Sequence, residues 1–291
     1  MYWLLGMLKI GRILFPIDYS DQAHQVAPWV NKMATRFDAR LTVLRVLPIP
    51  TFPWFGQSGD PPLMNAEAWK PDLDPGMDGT FLKEFANLEV ERVMDLGEPA
   101  EVIARFVDTQ GVDLIMMPGH GSGPLRRLLL GSVTAKVLHD AQCPVWTRVQ
   151  IGEPEPAGER GQQTVLCAVG RSPESTPVMQ WAAQFAEQAG AVLKFVHVIP
   201  DFDDWLPSLA QLTALREEAR HAIESLQRQA GVRAPSLVMI GKIGPALCEQ
   251  AKHHKADYVI IGRGRLHDTP GRLGKQAYDI IRHAPCPVIS V

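Results

Sequence analysis

The sequence predicts an α/β protein built as two tandem domains, each a doubly wound parallel sheet. Three observations lead there: short apolar runs alternate with longer segments of helical period, the alternation occurs twice, and a stretch rich in Pro, Gly and Glu separates the copies. Strands that alternate with helices join through right-handed crossovers into a parallel sheet covered on both faces. Such a sheet takes ligands at the carboxyl ends of its strands, near the switch point.

The first ten residues (MYWLLGMLKI) are read as a short N-terminal arm, packed or frayed. It is shorter than the roughly 20 apolar residues of a membrane span, and it lacks the basic region and small-residue cleavage site of a secretory signal. Residues 13–17 then read as a strand apolar on both faces, and 20–37 as a helix. A strand at 41–47, a helix at 99–109, a strand at 114–117 and a last short strand at 145–146 complete the first copy. In the second copy, helices are predicted over 172–189 and 209–230.

The copies answer each other residue by residue, and a repeat of this kind decides the fold. Arg12-Ile13-Leu14-Phe15-Pro16-Ile17-Asp18 matches Thr164-Val165-Leu166-Cys167-Ala168-Val169-Gly170 at an offset of 152, as 41–46 matches 193–198. Gly97 matches Gly241, and the stretch 112–117 matches 256–261, at an offset of 144; Cys143-Pro144-Val145 matches Cys286-Pro287-Val288 at 143. The steps between offsets are indels, about eight residues in the middle of the first copy and one near its end. The domains are therefore 1–150 and 163–291, joined by a linker at 151–162.

With 29 Lys and Arg against 32 Asp and Glu, the formal net charge of −3 leaves no basic field for non-specific nucleic-acid binding. An apolar fraction of 46% excludes disorder. The four cysteines, at 143, 167, 248 and 286, form no C-x-x-C pair and match neither a disulfide framework nor a zinc site. Reduced thiols and a cytoplasmic location, without membrane or nucleic-acid partners, are expected.

The stretch most able to carry chemistry runs from Met117 to Thr134 (MPGHGSGPLRRLLLGSVT). Glycines after a buried strand let backbone N–H groups approach a phosphate, and the helix that begins at Gly131-Ser132-Val133-Thr134 offers unpaired N–H groups and a favourable dipole. The hydroxyl of Ser132 or Thr134 would complete a phosphate cradle.

On these residues both halves resemble universal stress protein domains, and the chain resembles a tandem member of that family. Its ATP-binding members carry the loop G-x2-G-x9-G-[ST]. Gly121, Gly131 and Ser132 match the second part, while the first glycine falls on Pro118, with Gly119 one place along. The resemblance implies Rossmann-like, adenine nucleotide α-hydrolase-like domains arranged as a pseudo-dimer, with 144–148 facing 287–291 across a pseudo-two-fold axis. It implies ATP, with or without magnesium, as ligand. Asp18 would lie by the ribose and phosphates, Ile17 and Val46 by the adenine, and Met117 beside the nucleoside. Gly119, Gly121, Gly131, Ser132 and Val133 would hold the phosphates.

The second copy departs from this set. Gly170 replaces the aspartate, Arg265 stands where the second glycine should be, and Lys275 replaces the hydroxyl residue. Arg263, Arg265, Arg272 and Lys275 could attract an anion, but a solvated basic loop explains them as simply. The region 48–79 holds seven prolines with Phe52, Trp54, Phe55 and Trp69, and is read as a long loop folded over the sheet or, in a sharper reading, as a lid or docking surface. His120 is read as a loop residue, and the adjacent His253 and His254 do not chelate together. No H-E-x-x-H, G-x-S-x-G or Walker-type element occurs.

The expected function is that of a cytoplasmic stress-response protein binding ATP in its first domain as a regulatory signal. Hydrolysis would be slow at most, for want of a general base. A homodimer of tandem chains and an unidentified protein partner are compatible with it. The alternative is an adaptor that binds no nucleotide and acts through protein contacts.

Overall fold

The computed structural model describes residues 9–47, 76–79, 81–119, 130–149, 162–201, 207–263 and 274–291. In the first repeat the elements are β1 (Arg12–Ile17), α1 (Asp21–Phe37), β2 (Arg40–Leu47), β3 (Val90–Leu96), α2 (Pro99–Gln110), β4 (Leu114–Pro118), α3 (Ser132–Asp140) and β5 (Val145–Arg148). In the second they are β6 (Thr164–Ala168), α4 (Ser175–Gln188), β7 (Val192–Ile199), α5 (Leu209–Ala230), β8 (Ser236–Ile240), α6 (Ile243–His253), β9 (Tyr258–Ile261), α7 (Lys275–His283) and β10 (Val288–Ser290).

Among the described residues ten strands join one sheet in the order β3-β2-β1-β4-β5-β10-β9-β6-β7-β8. Within each repeat the strands are parallel, and each winds outward from its first strand in both directions. The expected pseudo-two-fold seam is present: β5 and β10 pair antiparallel, with Val288 opposite Thr147, Ile289 opposite Trp146 and Ser290 opposite Val145. Trp146 is fully buried there, so each repeat closes the edge of the other.

The core forms two layers, one on each face of the sheet, and both run through the two repeats. One joins Ile13, Phe15 and Ile17 with the inner sides of α1, α4 and α5; the other joins Leu14, Leu44 and Val46 with α2, α3, α6 and α7. Alternation along β1 therefore supplies both layers, as a strand covered on both faces must. The rings of Phe37 and Phe185 meet at 5.6 Å, binding α1 of one repeat to α4 of the other.

Two strands escaped the sequence reading, β3 and β8. Both are outermost in the sheet and only half-buried, so they lack the continuous apolar runs of the inner strands. The helix predicted at 172–189 begins later, at Ser175, because 170–174 forms a turn. Ahead of β3 the chain makes turns over 81–88, where Phe81 and Phe85 pack on Phe15 with ring centroids 5.5 and 6.1 Å away. The proline-rich stretch 48–75 lies outside the described residues.

Glycine is required where the backbone turns into α2 and α6. Gly97 and Gly241, matched in the repeat, hold φ at 143° and 151°, a region closed to L side chains.

Candidate functional site

The switch point of the first repeat lies between β1 and β4. These strands pair only at Ile13 with Leu114 and Leu14 with Ile115, while β1 stays paired to β2 through Ile17. Beyond Leu14 the carboxyl ends of β1 and β4 part, which opens the crevice expected of an open α/β sheet.

Ile17, Val46 and Met117 lie buried near the carboxyl ends of three neighbouring strands, Ile17 packed in one core layer and Val46 and Met117 in the other. Asp18, the first residue past β1, is exposed. Its Oδ1 accepts the N–H of Ser20 at 3.1 Å, and the Ser20 hydroxyl in turn accepts the N–H of Ala23 as the N-cap of α1. The carboxylate is thus fixed at the rim of the crevice.

The two described ends of the glycine-rich stretch are tied to each other and to β5. Gly119 donates its N–H to the Arg148 carbonyl at 2.9 Å, and its own carbonyl accepts the N–H of Gly131 at 2.8 Å. A Cβ on Gly119 would lie 2.5 Å from Val149 Cγ2 and 3.2 Å from the Arg148 oxygen, so glycine is demanded here by the approach of β5. The Thr134 hydroxyl donates to the Pro118 carbonyl at 3.0 Å and is buried, so it ties α3 to β4 and is not free for a phosphate. The first turn of α3, with exposed Ser132 and half-buried Val133, has its N–H groups ahead of the first i to i−4 bond, which Ala135 makes to Gly131. Gly121 lies outside the described residues, as do His120, Arg126 and Arg127.

Two side chains at the rim were missed in the sequence. Arg45 places its guanidinium 4.7 Å from the centroid of the Tyr19 ring, and Nη1 donates to the Ile17 carbonyl at 3.4 Å. A charged residue inside the mostly apolar run 41–47 was the available signal. Nothing in the sequence marked Tyr19.

In the second repeat the helix start keeps its geometry: Gly274 (φ −62°, ψ 150°) caps α7 as Gly131 (φ −63°, ψ 148°) caps α3. Its surroundings differ. Arg263 occupies the place of Gly119 and, like it, donates its N–H to the end of the last strand, at the Val291 carbonyl. Its guanidinium crosses the seam and donates to the carbonyls of Ala141 and Cys143 in the first repeat and, at 3.2 Å, to that of Ser290. Burial pulls its pKa down to about 10. Arg263 is therefore a seam residue and not an anion ligand. Arg265 and Arg272 lie outside the described residues. His253 and His254 touch edge to face, with centroids 4.9 Å apart, and His254 Nδ1 lies 3.1 Å from Lys194 Nζ. Among the described residues no group of three or more His, Cys, Asp or Glu could hold a metal ion.

A doubly wound parallel sheet with helix starts at the carboxyl ends of its strands defines a class of α/β domain, and the chain holds two of them. The sequence profile of the universal stress protein family matches residues 9–147 and again 162–291. The chain belongs to that family, as a tandem of two of its domains. It is similar along its length to a universal stress protein of Mycolicibacterium smegmatis, 27% identical over 299 residues that cover 96% of each chain. A single-repeat match, to a universal stress protein of Methanocaldococcus jannaschii, is 28% identical over 134 residues, 46% of this chain and 79% of the relative. Among solved structures, a universal stress protein from Archaeoglobus fulgidus shares the fold with a TM-score of 0.66 at 19% identity, covering 97% of this chain and 96% of its own.

Proposed function

We propose that the first repeat binds ATP as a regulatory signal, in the cytoplasm, and that the second repeat, with its degenerate site, serves as its structural partner. The observation that carries this reading is the juxtaposition of three parts at one switch point. Ile17, Val46 and Met117, near the carboxyl ends of three neighbouring strands, would border the purine, Asp18 would accept from ribose hydroxyls, and Ser132 and Val133 would give helix-start N–H groups to phosphates. Gly119 and Gly131 support that arrangement through their mutual hydrogen bond and contribute geometry, with Gly121 beside them in the chain. Four buried free thiols suit a reducing compartment.

The adaptor reading has one observation in its favour: the N–H groups of Gly119 and Gly131 are already bonded within the protein, which leaves the cradle fewer donors. Calorimetric titration of the full chain with ATP and magnesium separates the two. We expect one site per chain, abolished in Gly131→Glu, whose side chain would bring bulk and negative charge to the start of α3 while circular dichroism stays unchanged. The absence of binding heat in the unsubstituted protein would move the function to protein contacts.

A further inference from the structure

The turn after β1 differs between the repeats in a way that the shared fold does not require. In the first repeat Tyr19 holds φ at 57°, a conformation rarely adopted by bulky residues. The turn closes on the Asp18 carboxylate, which accepts the Ser20 N–H. Arg45 lies over the Tyr19 ring and donates to Ile17, and the Tyr19 hydroxyl reaches Met77 Sδ at 3.8 Å. One cation–ring pair thus touches the backbone of Ile17, holds the residue after Asp18, and sits beside Val46 in the chain.

The equivalent positions in the second repeat are Gly170, Arg171 and His197, so the cation and the ring have changed places. None of the three has a left-handed φ. The turn is closed instead by Ser175, whose hydroxyl accepts the Gly170 N–H at 2.9 Å and donates to the Gly170 carbonyl at 3.1 Å; His197 Nδ1 donates to the Val169 carbonyl at 2.9 Å. Where the aspartate is lost, the strained turn is lost with it.

We propose that Tyr19 and Arg45 are positioning residues of the first-repeat site: their stack holds the left-handed turn that fixes Asp18, leaving one carboxylate oxygen to accept from the hydroxyls of a nucleoside. This rests on the nucleotide reading of that site. Strain retained at a binding rim, and only where the acceptor carboxylate is retained, is what pre-organisation for a ligand demands.

The test is calorimetric titration with ATP and magnesium of the full chain and of Tyr19→Phe, Tyr19→Leu, Arg45→Met and the double variant Tyr19→Leu/Arg45→Met. The Ser20 amide signal of each ligand-free protein is followed by NMR. Tyr19→Phe keeps the ring and should bind like the parent. Tyr19→Leu and Arg45→Met should each weaken binding by about fivefold. The double variant should be no weaker than either single one, because both remove the same stack. The Ser20 amide should shift in the weakened variants and not in Tyr19→Phe. A purely structural role would instead lower Tm and leave affinity and the Ser20 signal alone. Parent-like binding by Tyr19→Leu and Arg45→Met, or additive losses in the double variant, overturns this proposal and spares the nucleotide reading. No binding by the parent chain overturns both.

Discussion

Asp113 and Asp257 occupy one position in the two repeats, and each acts as a backbone clasp. The Asp113 Oδ2 accepts the N–H groups of Gly11 at 2.8 Å and Arg12 at 2.9 Å, and the Asp257 Oδ2 accepts that of Thr164 at 2.8 Å. Each carboxylate starts the first strand of its repeat beside the strand that follows the carboxylate. Asp113→Ala leaves two N–H groups without this acceptor and should lower stability by about 2 kcal/mol, read by urea denaturation, with ligand binding unaffected. Gly119→Ala should cost about 1–3 kcal/mol through the crowding of Val149 and Arg148. Repeated acids are legible in a sequence, but their role is not: spacing alone does not distinguish an aspartate that clasps a strand from one that faces a ligand. Asp18 and Asp113 differ in exposure and partners, which only the fold decides.

Titration behaviour follows the same local logic. Burial raises the thiols of Cys143 and Cys286 from 9.0 to about 12, and that of Cys248 to about 11; burial likewise raises Tyr258 from 10.0 to about 12. These groups are neutral in the native state beyond the pH at which they ionise in the unfolded chain. Their contribution to stability is therefore complete below pH 9 and is lost as the pH rises toward 12. Burial lowers His197, so its contribution is present above its ordinary value of 6.5 and is lost on acidification. Thermal melts across pH 5 to 11 should show both flanks. At neutral pH the native chain should leave a thiol reagent unreacted, and four thiols should titrate in denaturant.

At the scale of elements, inner strands and amphipathic helices were readable, because a strand covered on both faces and a helix covered on one leave distinct periods in the chain. The outer strands β3 and β8 were not, because half-buried edges mix polar and apolar residues without a firm period. The helix α5 was legible over its whole length, and its start is fixed by a capping box: the Ser208 hydroxyl accepts the Gln211 N–H, and the Gln211 side chain accepts that of Ser208. Its first turns are largely exposed, with Leu209 at 78%, so little tertiary packing supports them. Ser208→Ala should cost about 1 kcal/mol, seen as faster amide exchange confined to the first turns of α5. The seam strands were legible as a pair because the Cys-Pro-Val motif repeats ahead of both. Deleting 287–291 should leave β5 with an open edge and bring aggregation, measured by light scattering; a monodisperse, folded truncation would refute that role.

At the scale of the molecule, the repeat made the architecture legible, and the asymmetry between the repeats was legible only in part. Gly170 and Lys275 announced that the second site had lost its pattern. That Arg263 had left its loop to join the seam was invisible, because its acceptors, the Ala141 and Cys143 carbonyls, lie about 120 residues away in the chain. The β5–β10 ladder is short, and these bonds add to the shared core layers in joining the halves. Arg263→Ala should lower the calorimetric Tm by several degrees, and the single unfolding transition should broaden as the repeats lose cooperation.

Because the two halves meet antiparallel, their strands point to opposite rims of the sheet at the seam. A pair of identical domains joined this way would be a two-headed object, offering the same face to either side. Here one head carries Asp18 and the other Gly170, so under the proposed function the molecule has a valence of one and a front and a back. A partner sensing occupancy would meet it in a single orientation and in a ratio of one to one.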